Sequence, residues 1–510
     1  MNLRLTVFAF FMVAAAAVVG ACPGRTASCA PASVPISKSG MPNPESGILN
    51  PESGMGRPES GIANLESAAL RGRRATTPGA AGLPALATGL LPALQALQRG
   101  APATQAATAL PPPAQYLLTP EKRAKAIAYS RLRYLLDFLG VLVSAAIYLF
   151  LWRAGVARLF RDWARRVSAR HFFQSLVFAP LFLVAGGLLA LPLEFYSGYV
   201  LEHRFDLSMQ GFGSWLGDWA KNLGVDVVMG VALVWIFYAI VRRSPRRWWL
   251  YFWLGSIPIV LAVLVVEPYV FEPLFFKFTR LDTTQPALTE RIETMLAHAG
   301  LQIPRARIFE MDASAKTKTV DAYVSGLGAS KRVVVWDTTL KKMDQDETLL
   351  VLGHEAGHYV LHHIPKEFAL DELVFLLLFF LLSVALRRLV APRGVPVEAI
   401  GDLASLPIVL LVLTVLVFLA SPLINGISRH YEHQADQFGL EAAYGVVADP
   451  NAAEARAFQI LGEEDLADPD PNPFIKFWLY SHPALDERIR FAASYKPWAE
   501  GQPLELVPQH

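Results

Sequence analysis

The chain has 510 residues, of which 53% are hydrophobic and 18% are charged, with a formal net charge of +2. Soluble globular domains carry about 25% charged residues, so the composition indicates a membrane protein, and the near-neutral charge argues against a nucleic-acid partner. The two cysteines, Cys22 and Cys29, lie near the N-terminus and exclude a cysteine-based zinc site from the rest of the chain. A metal in the body of the protein would therefore need His, Asp or Glu ligands.

The N-terminal part is predicted to carry no function of its own. Residues 1–24 read as a signal peptide, with an uncleaved membrane anchor as the alternative. Residues 25–117 are predicted to be a low-complexity linker, in which a seven-residue repeat begins with PESG at Pro44, Pro51 and Pro58. The repeat has no apolar seam, and so it cannot form a coiled coil.

Six apolar stretches in the body of the chain are long enough to cross a bilayer. Six such stretches are rare in a soluble protein, and we therefore predict a mainly α-helical, polytopic membrane protein. Transmembrane helices with an intervening loop would occupy 118–274, and two further spans 368–425. The stretches lie near residues 134–153, 172–195, 225–241, 248–270, 369–387 and 401–421.

Two segments, 275–367 and 426–510, are predicted to be soluble. The first contains an amphipathic helix in QPALTERIETMLAHAG and strand-like runs in ARIFEMD, DAYVSGL and KRVVVWD. Gly326 and Gly328 predict a hairpin turn between the last two runs. A helix follows in MDQDETLLVLGHEAGHYVLHH, with Asp346 as its predicted N-cap.

The stretch HEAGH, from His354 to His358, matches the pattern H-E-x-x-H. Residues four apart lie on one face of a helix, so both imidazoles can reach one zinc ion. Glu355 lies beside the first ligand, where it can accept a proton from zinc-bound water and pass it to a leaving amine. A catalytic zinc needs three protein ligands and an open position, and so a third ligand must come from elsewhere in the chain.

The stretch SRHYEHQADQFGLEAA offers the third ligand. Glu432 and Asp436 share a helix face, so that one can bind zinc while the other hydrogen-bonds a ligand imidazole. His433 is a competing ligand about 100° around the helix, and a solvated amphipathic helix is the alternative for the whole stretch. His362 and His363 follow the H-E-x-x-H pattern and are predicted to be interfacial residues at the membrane boundary.

From about residue 130 to 495 the chain resembles the type I CAAX prenyl endopeptidases, a family of integral-membrane zinc metalloproteases. Six stretches carry the resemblance in order: LPLEFYSGYVLEHRFDLSMQGFGSWLGDWAK, EPLFFKFTRL, DAYVSGLGASKRVVVWDTTL, GHEAGH, YEHQAD and SHPALDERI. The resemblance implies a zincin-like metalloprotease domain with a small β-hairpin or sheet, joined to membrane helices, and one Zn²⁺ per chain.

The resemblance also implies a role for each residue that matches a family motif. These residues are the zinc ligands His354, His358 and Glu432, the general base Glu355, the supporting acid Asp436, the oxyanion-stabilising His482 and the supporting basic residue Arg488. From the residues alone, Ser481 could instead cap a helix, with Pro483 close behind it. The role of His482 therefore rests mainly on the resemblance.

The predicted hairpin carries a candidate substrate strand. A protease must hold its substrate extended, and a free strand edge does so through main-chain hydrogen bonds. Ala322 and Tyr323 lie on the strand that would pair with the substrate. Asp321 stands where the family usually has Asn, a change that affects an amide contact to the substrate but not main-chain pairing.

Arginines cluster in the loops 153–170, 242–247 and 387–393, which alternating spans place on one side of the membrane. The positive-inside rule makes this side cytoplasmic. The protein would then lie in the cell (inner) membrane with its active site on the extracytoplasmic face. Basic residues within 122–133 and the cytosol-facing site of the eukaryotic relatives favour the opposite orientation.

These features predict a membrane-embedded zinc metalloendopeptidase that acts on a peptide or protein substrate at the lipid bilayer. An HtpX-like quality-control protease is the alternative enzyme, because it shares H-E-x-x-H and a later Glu ligand. A non-enzymatic scaffold or transporter with a vestigial zinc site is the alternative from another class. Intramembrane charges would support that reading, and the spans hold few of them away from their ends.

Overall fold

The computed structural model describes residues 115–389 and 400–507. The predicted signal peptide, the PESG repeats and most of the predicted linker lie outside these residues. The predicted linker extends too far, because Tyr116 is buried and its main-chain N–H donates to Asp486 at 3.1 Å. Residues just ahead of the first span thus pack against the C-terminal part of the chain.

The described residues form mostly helices, with one small sheet. In chain order the helices are α1 (Pro120–Arg153), α2 (Val156–Val167), α3 (His171–Arg204), α4 (Phe212–Arg243), α5 (Trp248–Val270), α6 (Leu281–Thr284), α7 (Pro286–His298), α8 (Asp337–Lys342), α9 (Gln345–Val360), α10 (His363–Leu389), α11 (Leu406–Ala443), α12 (Pro450–Glu464), α13 (Pro473–Leu479) and α14 (Leu485–Ser494). The strands are β1 (Phe278–Arg280), β2 (Ile308–Met311), β3 (Ala322–Ser325) and β4 (Arg332–Trp336). A π-helical turn lies within α3 at Tyr196–Val200.

The six predicted spans are confirmed. The helices α1, α3, α4, α5, α10 and α11 are each long and apolar enough to cross a bilayer. Large side chains such as Tyr148, Phe178 and Phe379 are buried between them. Others, such as Leu142 and Val228, are 66% and 71% exposed. So much exposed apolar surface suits a hydrocarbon environment, and the chain is therefore a multi-pass membrane protein.

One end of the membrane helices carries the arginine-rich loops. Helix α2 joins α1 to α3 at this end, and Arg161 in α2 forms an ion pair with Asp402 at 2.5 Å. Nε of Arg242, at the end of α4, donates to the carbonyl of Gly401 at 3.0 Å. The first two loops therefore both contact residues 401–402, just ahead of α11, at one end of the membrane helices.

The predicted hairpin is part of a four-stranded sheet with the order β1-β2-β4-β3. Strands β3 and β4 are antiparallel, whereas β2 and β4 are parallel. Gly326 in the hairpin turn has a φ of 88°, and a Cβ there would lie 2.4 Å from the carbonyl oxygen of Ser330, so the turn requires glycine. The sequence does not predict β1, because three residues are too few to show an alternating pattern. Strand β3 forms an edge of the sheet and lies against α9.

Helices α9 and α11 cross in direct contact, which brings the two halves of the predicted metal site together. A Cβ on Gly439 would lie 2.9 Å from the main-chain nitrogen of His354, and a Cβ on Gly353 would lie 3.2 Å from Cα of Gly439. A Cβ on Gly357 would lie 3.1 Å from the Phe438 side chain. The lack of side chains at these positions lets the two backbones touch.

The two ends of α9 differ from the prediction. Its N-cap is Asp344, which accepts a hydrogen bond from the N–H of Glu347, while the Glu347 carboxylate accepts one from the N–H of Asp344. The sequence predicts Asp346 as the cap, but that residue lies in the first turn and pairs with Arg291. At the other end, His362 has a φ of 57° and separates α9 from α10.

Candidate metal centre

Two histidines of α9 and one glutamate of α11 converge on one point. Nε2 of His354 lies 3.2 Å from Oε2 of Glu432 and 3.3 Å from Nε2 of His358. Nε2 of His358 lies 3.8 Å from the same Glu432 oxygen. His433, the competing ligand, instead packs its ring against Phe491. The three residues predicted as zinc ligands are therefore close together in space.

The donor atoms of this group fit a divalent cation. When the His354 ring is neutral, a hydrogen on the Nδ1 that contacts Asp436 leaves a lone pair on Nε2. Oε2 of Glu432 is buried and lies 3.2 Å from Nε2 of both His354 and His482. Lone pairs that face one another repel unless a cation lies between them. Two imidazoles and one carboxylate, with a fourth position open to water, form the ligand set of a catalytic zinc site.

An ionic network supports His354. Its Nδ1 is 2.7 Å from Oδ1 of Asp436, and Nη2 of Arg488 donates to the same oxygen at 2.5 Å. Nε of Arg488 donates to the other Asp436 oxygen at 2.9 Å, and both residues are almost fully buried. Burial lowers the pKa of His354, but the hydrogen bonds with Asp436 and Glu432 outweigh burial and raise this pKa to about 10. The surroundings therefore favour positive charge at His354.

A neutral network supports His358. Its Nδ1 lies 3.4 Å from Nδ1 of His363, and Nε2 of His363 lies 3.1 Å from Oε1 of Gln434. The ring of His363 also packs against Tyr431. Burial lowers the pKa of His358 well below its usual range. The sequence predicts His363 as an interfacial residue, but it is fully buried behind the ligand, whereas His362 is exposed.

Two further residues predicted to act in catalysis are buried in the same region. Glu355 is buried in α9. Nε2 of His482 lies 3.2 Å from Oε2 of Glu432, and its Nδ1 lies 2.9 Å from the hydroxyl of Ser481. Burial lowers the pKa of His482 to about 4. Ser481 does not cap the following helix, whose N-cap is Ala484, so the alternative prediction for this stretch is wrong.

The free edge of β3 is formed by Ala322 rather than by Tyr323. The N–H of Trp336 donates to the carbonyl of Asp321 at 3.1 Å, and the direction of main-chain bonding alternates along an antiparallel strand. The main chain of Tyr323 therefore faces β4, whereas that of Ala322 and Val324 faces away from it. This geometry corrects the prediction that Tyr323 pairs with a substrate.

Side chains around the hairpin agree with this assignment. The hydroxyl of Tyr359, in α9, donates to the carbonyls of Val324 at 3.3 Å and Gly326 at 3.0 Å. The hydroxyl of Tyr323 donates to Glu272 at 2.7 Å on the buried side of the sheet. Helix α9 thus fixes the outer edge of β3 next to the residues of the metal site.

Glu454, in α12, is a buried carboxyl that no sequence pattern points to. Neither of its oxygens has a hydrogen-bond partner among the described residues. Burial and then the charge of Asp436 raise the pKa of Glu454 well above its usual range. Together with His354 and Arg488 it lines a small void behind the first ligand. It adds a neutral acid to the ionic network around His354.

Two family models match the two parts of the chain. Residues 102–277 match the CAAX prenyl protease N-terminal family, which is described as five membrane helices. Residues 282–496 match peptidase family M48. The second match includes both halves of the metal centre.

Relatives and a solved structure agree with these matches. The uncharacterized metalloprotease YhfN of Bacillus subtilis is 33% identical over 74% of this chain and 87% of its own length. CAAX prenyl protease 1 of Saccharomyces cerevisiae is 28% identical over 62% of this chain and 71% of its own length. The crystal structure of S. mikatae Ste24p has a TM-score of 0.64 at 26% identity and covers 76% of this chain and 93% of that chain. The chain therefore belongs to peptidase family M48, as a membrane-embedded metalloendopeptidase related to the CAAX prenyl proteases.

Proposed function

We propose that this protein hydrolyses peptide bonds with one Zn²⁺ held by His354, His358 and Glu432. The observation that carries the proposal is the convergence of three lone-pair donors from two helices at one buried point. The three ligand atoms lie within 4.8 Å of one another, close enough to bind one ion. Two imidazoles and one carboxylate are the ligand set of a catalytic zinc site with an open fourth position.

We assign proton transfer to Glu355. Zinc, when bound in such a site, polarises a carbonyl group and lowers the pKa of water. The Glu355 carboxylate would accept a proton from the attacking water and deliver it to the leaving amine as the peptide bond breaks. Its place directly after His354 in α9 supports this role.

We assign oxyanion stabilisation to His482. With its pKa lowered to about 4 by burial, this imidazole is neutral at pH 7 and carries one N–H. The Ser481 hydroxyl can donate to Nδ1, which leaves the hydrogen on Nε2, the nitrogen nearer to Glu432. The Nε2–H of His482 would donate to the substrate carbonyl oxygen, and this hydrogen bond would strengthen as negative charge develops on that oxygen. Asp436 and Arg488 would hold the first ligand in place.

The substrate we propose is an extended segment of a peptide or protein at the membrane surface. Main-chain pairing with Ala322, at the free edge of β3, would hold this segment beside the metal ligands. The metal centre lies near the start of α10 and the end of α11, both membrane helices, so a substrate anchored in the bilayer could reach it. The arginine-rich loops at the other end favour an extracytoplasmic active site in the cell membrane.

The variant Glu355→Gln tests the proposal. It should retain about one zinc per chain but cleave an unstructured fluorogenic peptide about 10²–10⁴ times more slowly than the native protein. Glu290→Gln removes an exposed carboxylate from α7 and is the matched control, with unchanged activity expected. Native-like cleavage by zinc-loaded Glu355→Gln would overturn the mechanism. Less than half an equivalent of zinc in the native protein would instead favour a non-enzymatic scaffold or transporter.

A further inference from the structure

Helix α2 differs from the six long helices in being short and highly charged, and an ion pair fixes its orientation. Its inner face consists of Ala157, Arg161 and Ala164, all buried. Nη1 of Arg161 lies 2.5 Å from Oδ2 of Asp402, and the two side chains are 10% and 3% exposed. A buried ion pair tolerates little rotation, because either charge alone would be costly to bury. The helix therefore presents the remaining sectors of its surface in fixed directions.

The outer surface of α2 is divided into two sectors. At about 100° per residue, the apolar residues fall on one side of the inner face and the arginines on the other. Leu159, Trp163 and Val167, at successive intervals of four residues, are 47%, 42% and 66% exposed. The apolar sector is Val156, Leu159, Phe160, Trp163 and Val167, and the basic sector is Arg158, Arg165 and Arg166 with Asp162. A protein-facing, an apolar and a basic sector on one helix are typical of a helix that lies in a membrane interface.

The positive charge around α2 exceeds the negative charge among the described residues. Both acids that the structure describes at this end, Asp162 and Asp402, contact Arg161, and Asp402 also lies 3.9 Å from Arg165. Further exposed arginines at the same end of the membrane helices are Arg153, Arg170, Arg243, Arg246, Arg247, Arg387 and Arg388. The complementary partner of this surface is therefore anionic.

We propose that α2 lies in the membrane interface and that its basic sector binds the headgroups of anionic phospholipids. A guanidinium group matches a phosphodiester in both charge and hydrogen-bond geometry. The neighbouring apolar sector identifies the source of the phosphate as a lipid, because the acyl chains would cover Leu159 and Trp163 while the headgroup meets the arginines. The lipid site lies at the end of the membrane helices opposite the metal centre and does not depend on the proposed peptidase mechanism.

The test compares lipid retention by the full chain and two triple variants. Each protein is placed in nanodiscs of phosphatidylcholine and phosphatidylglycerol in equal amounts, released in mild detergent, and its bound lipids are counted by native mass spectrometry. The variant Arg158→Gln/Arg165→Gln/Arg166→Gln removes the basic sector. The control Arg305→Gln/Lys342→Gln/Lys496→Gln removes the same charge from exposed positions of the soluble part.

The native protein and the control should retain phosphatidylglycerol over phosphatidylcholine by roughly fivefold or more, since one arginine near an anionic surface already has an effect of this size. The basic-sector variant should lose most of this preference while keeping its melting temperature in pure phosphatidylcholine. Equal retention by the native protein and the basic-sector variant would overturn the proposal, as would an equal loss in the control. Displacement of phosphatidylglycerol by excess inorganic phosphate would overturn the assignment to a lipid.

Discussion

The two histidine ligands of the metal centre are supported in opposite ways. Behind His354 lies a buried ion pair, Asp436 and Arg488, with the carboxylate bonded directly to the ligand ring. Behind His358 lies a neutral pair, His363 and Gln434, which joins the ligand through a longer contact of 3.4 Å. The charged support favours positive charge on its histidine, and the neutral surroundings of His358 disfavour it.

The location of each network suggests why they differ. Arg488 belongs to α14 in the soluble part, where it lies over the ring of Phe458 in α12. His363 is the first residue of α10, a membrane helix, where an uncompensated charge would be costly. The arginine of the charged network thus comes from the soluble part, whereas Asp436 and both members of the neutral network come from the membrane helices α10 and α11.

Removal of the charge on Asp436 should have the largest effect. Asp436→Asn leaves the buried Arg488 guanidinium without its carboxylate, so we expect a loss of roughly 3–5 kcal/mol in the free energy of unfolding. Zinc affinity should fall about 100-fold, the upper end of the range for residues that support a ligand. Thermal unfolding and competition with a chromophoric chelator measure the two effects.

A double variant separates these two effects. Asp436→Asn/Arg488→Met should recover part of the stability, because the unpaired charge is gone, but not the zinc affinity. Recovery of both would contradict a direct role of Asp436 in holding His354.

Disruption of the contact between α9 and α11 should have the second largest effect on stability and zinc binding, because both networks depend on this contact. Gly439→Ala places a Cβ 2.9 Å from the main-chain nitrogen of His354, and the helices must separate. We expect a destabilisation of about 1–3 kcal/mol and weaker zinc binding. Gly426→Ala lies in the same helix, where the nearest atom is Nη2 of Arg429 at 3.6 Å, and should change neither. Equal results for the two variants would show that helix contact does not limit metal binding.

Removal of the neutral support behind His358 should have a smaller effect on zinc affinity. His363→Asn removes the ring next to His358, and we expect about a tenfold loss of zinc affinity, the lower end of the same range. His362→Asn is the matched control, because that exposed neighbour has a φ of 57° and Asn tolerates this conformation. A loss in the His363 variant as large as that in Asp436→Asn would remove the distinction between the two networks.

The smallest expected effect is the difference between the two histidines in proton release on zinc binding. With its pKa raised to about 10, His354 is protonated at pH 7.5 in the metal-free protein and must lose this proton to bind zinc. The pKa of His358 is lowered, so this ring contributes none. Calorimetry in two buffers of different ionisation enthalpy should count about one proton, and affinity should rise about tenfold per pH unit below the His354 pKa. Asp436→Asn should reduce this count. An unchanged proton count would mean that Asp436 does not raise the pKa of His354.

Local sequence patterns were sufficient to predict the membrane spans and the first half of the metal site. Hydropathy over about 20 residues predicts a membrane helix, and the four-residue interval between His354 and His358 predicts a shared helix face. The same reasoning placed His363 at the membrane boundary but did not predict its contact with His358, because a histidine at the start of a membrane helix has the same sequence signature whether it is exposed or buried. Sequence patterns also did not identify Glu454, because only its buried position in the tertiary structure distinguishes it from other glutamates.

The sequence by itself determined that the protein spans a membrane, which ligand types could hold a metal, and which two stretches must supply them. Tertiary structure showed that Glu432 lies beside the histidines while His433 packs against Phe491, and it alone decided that Ala322 and not Tyr323 forms the free strand edge. Periodicity and hydropathy depend on residues a few positions apart. The convergence of ligands depends instead on the contact of Gly353 with Gly439, which are far apart in the chain.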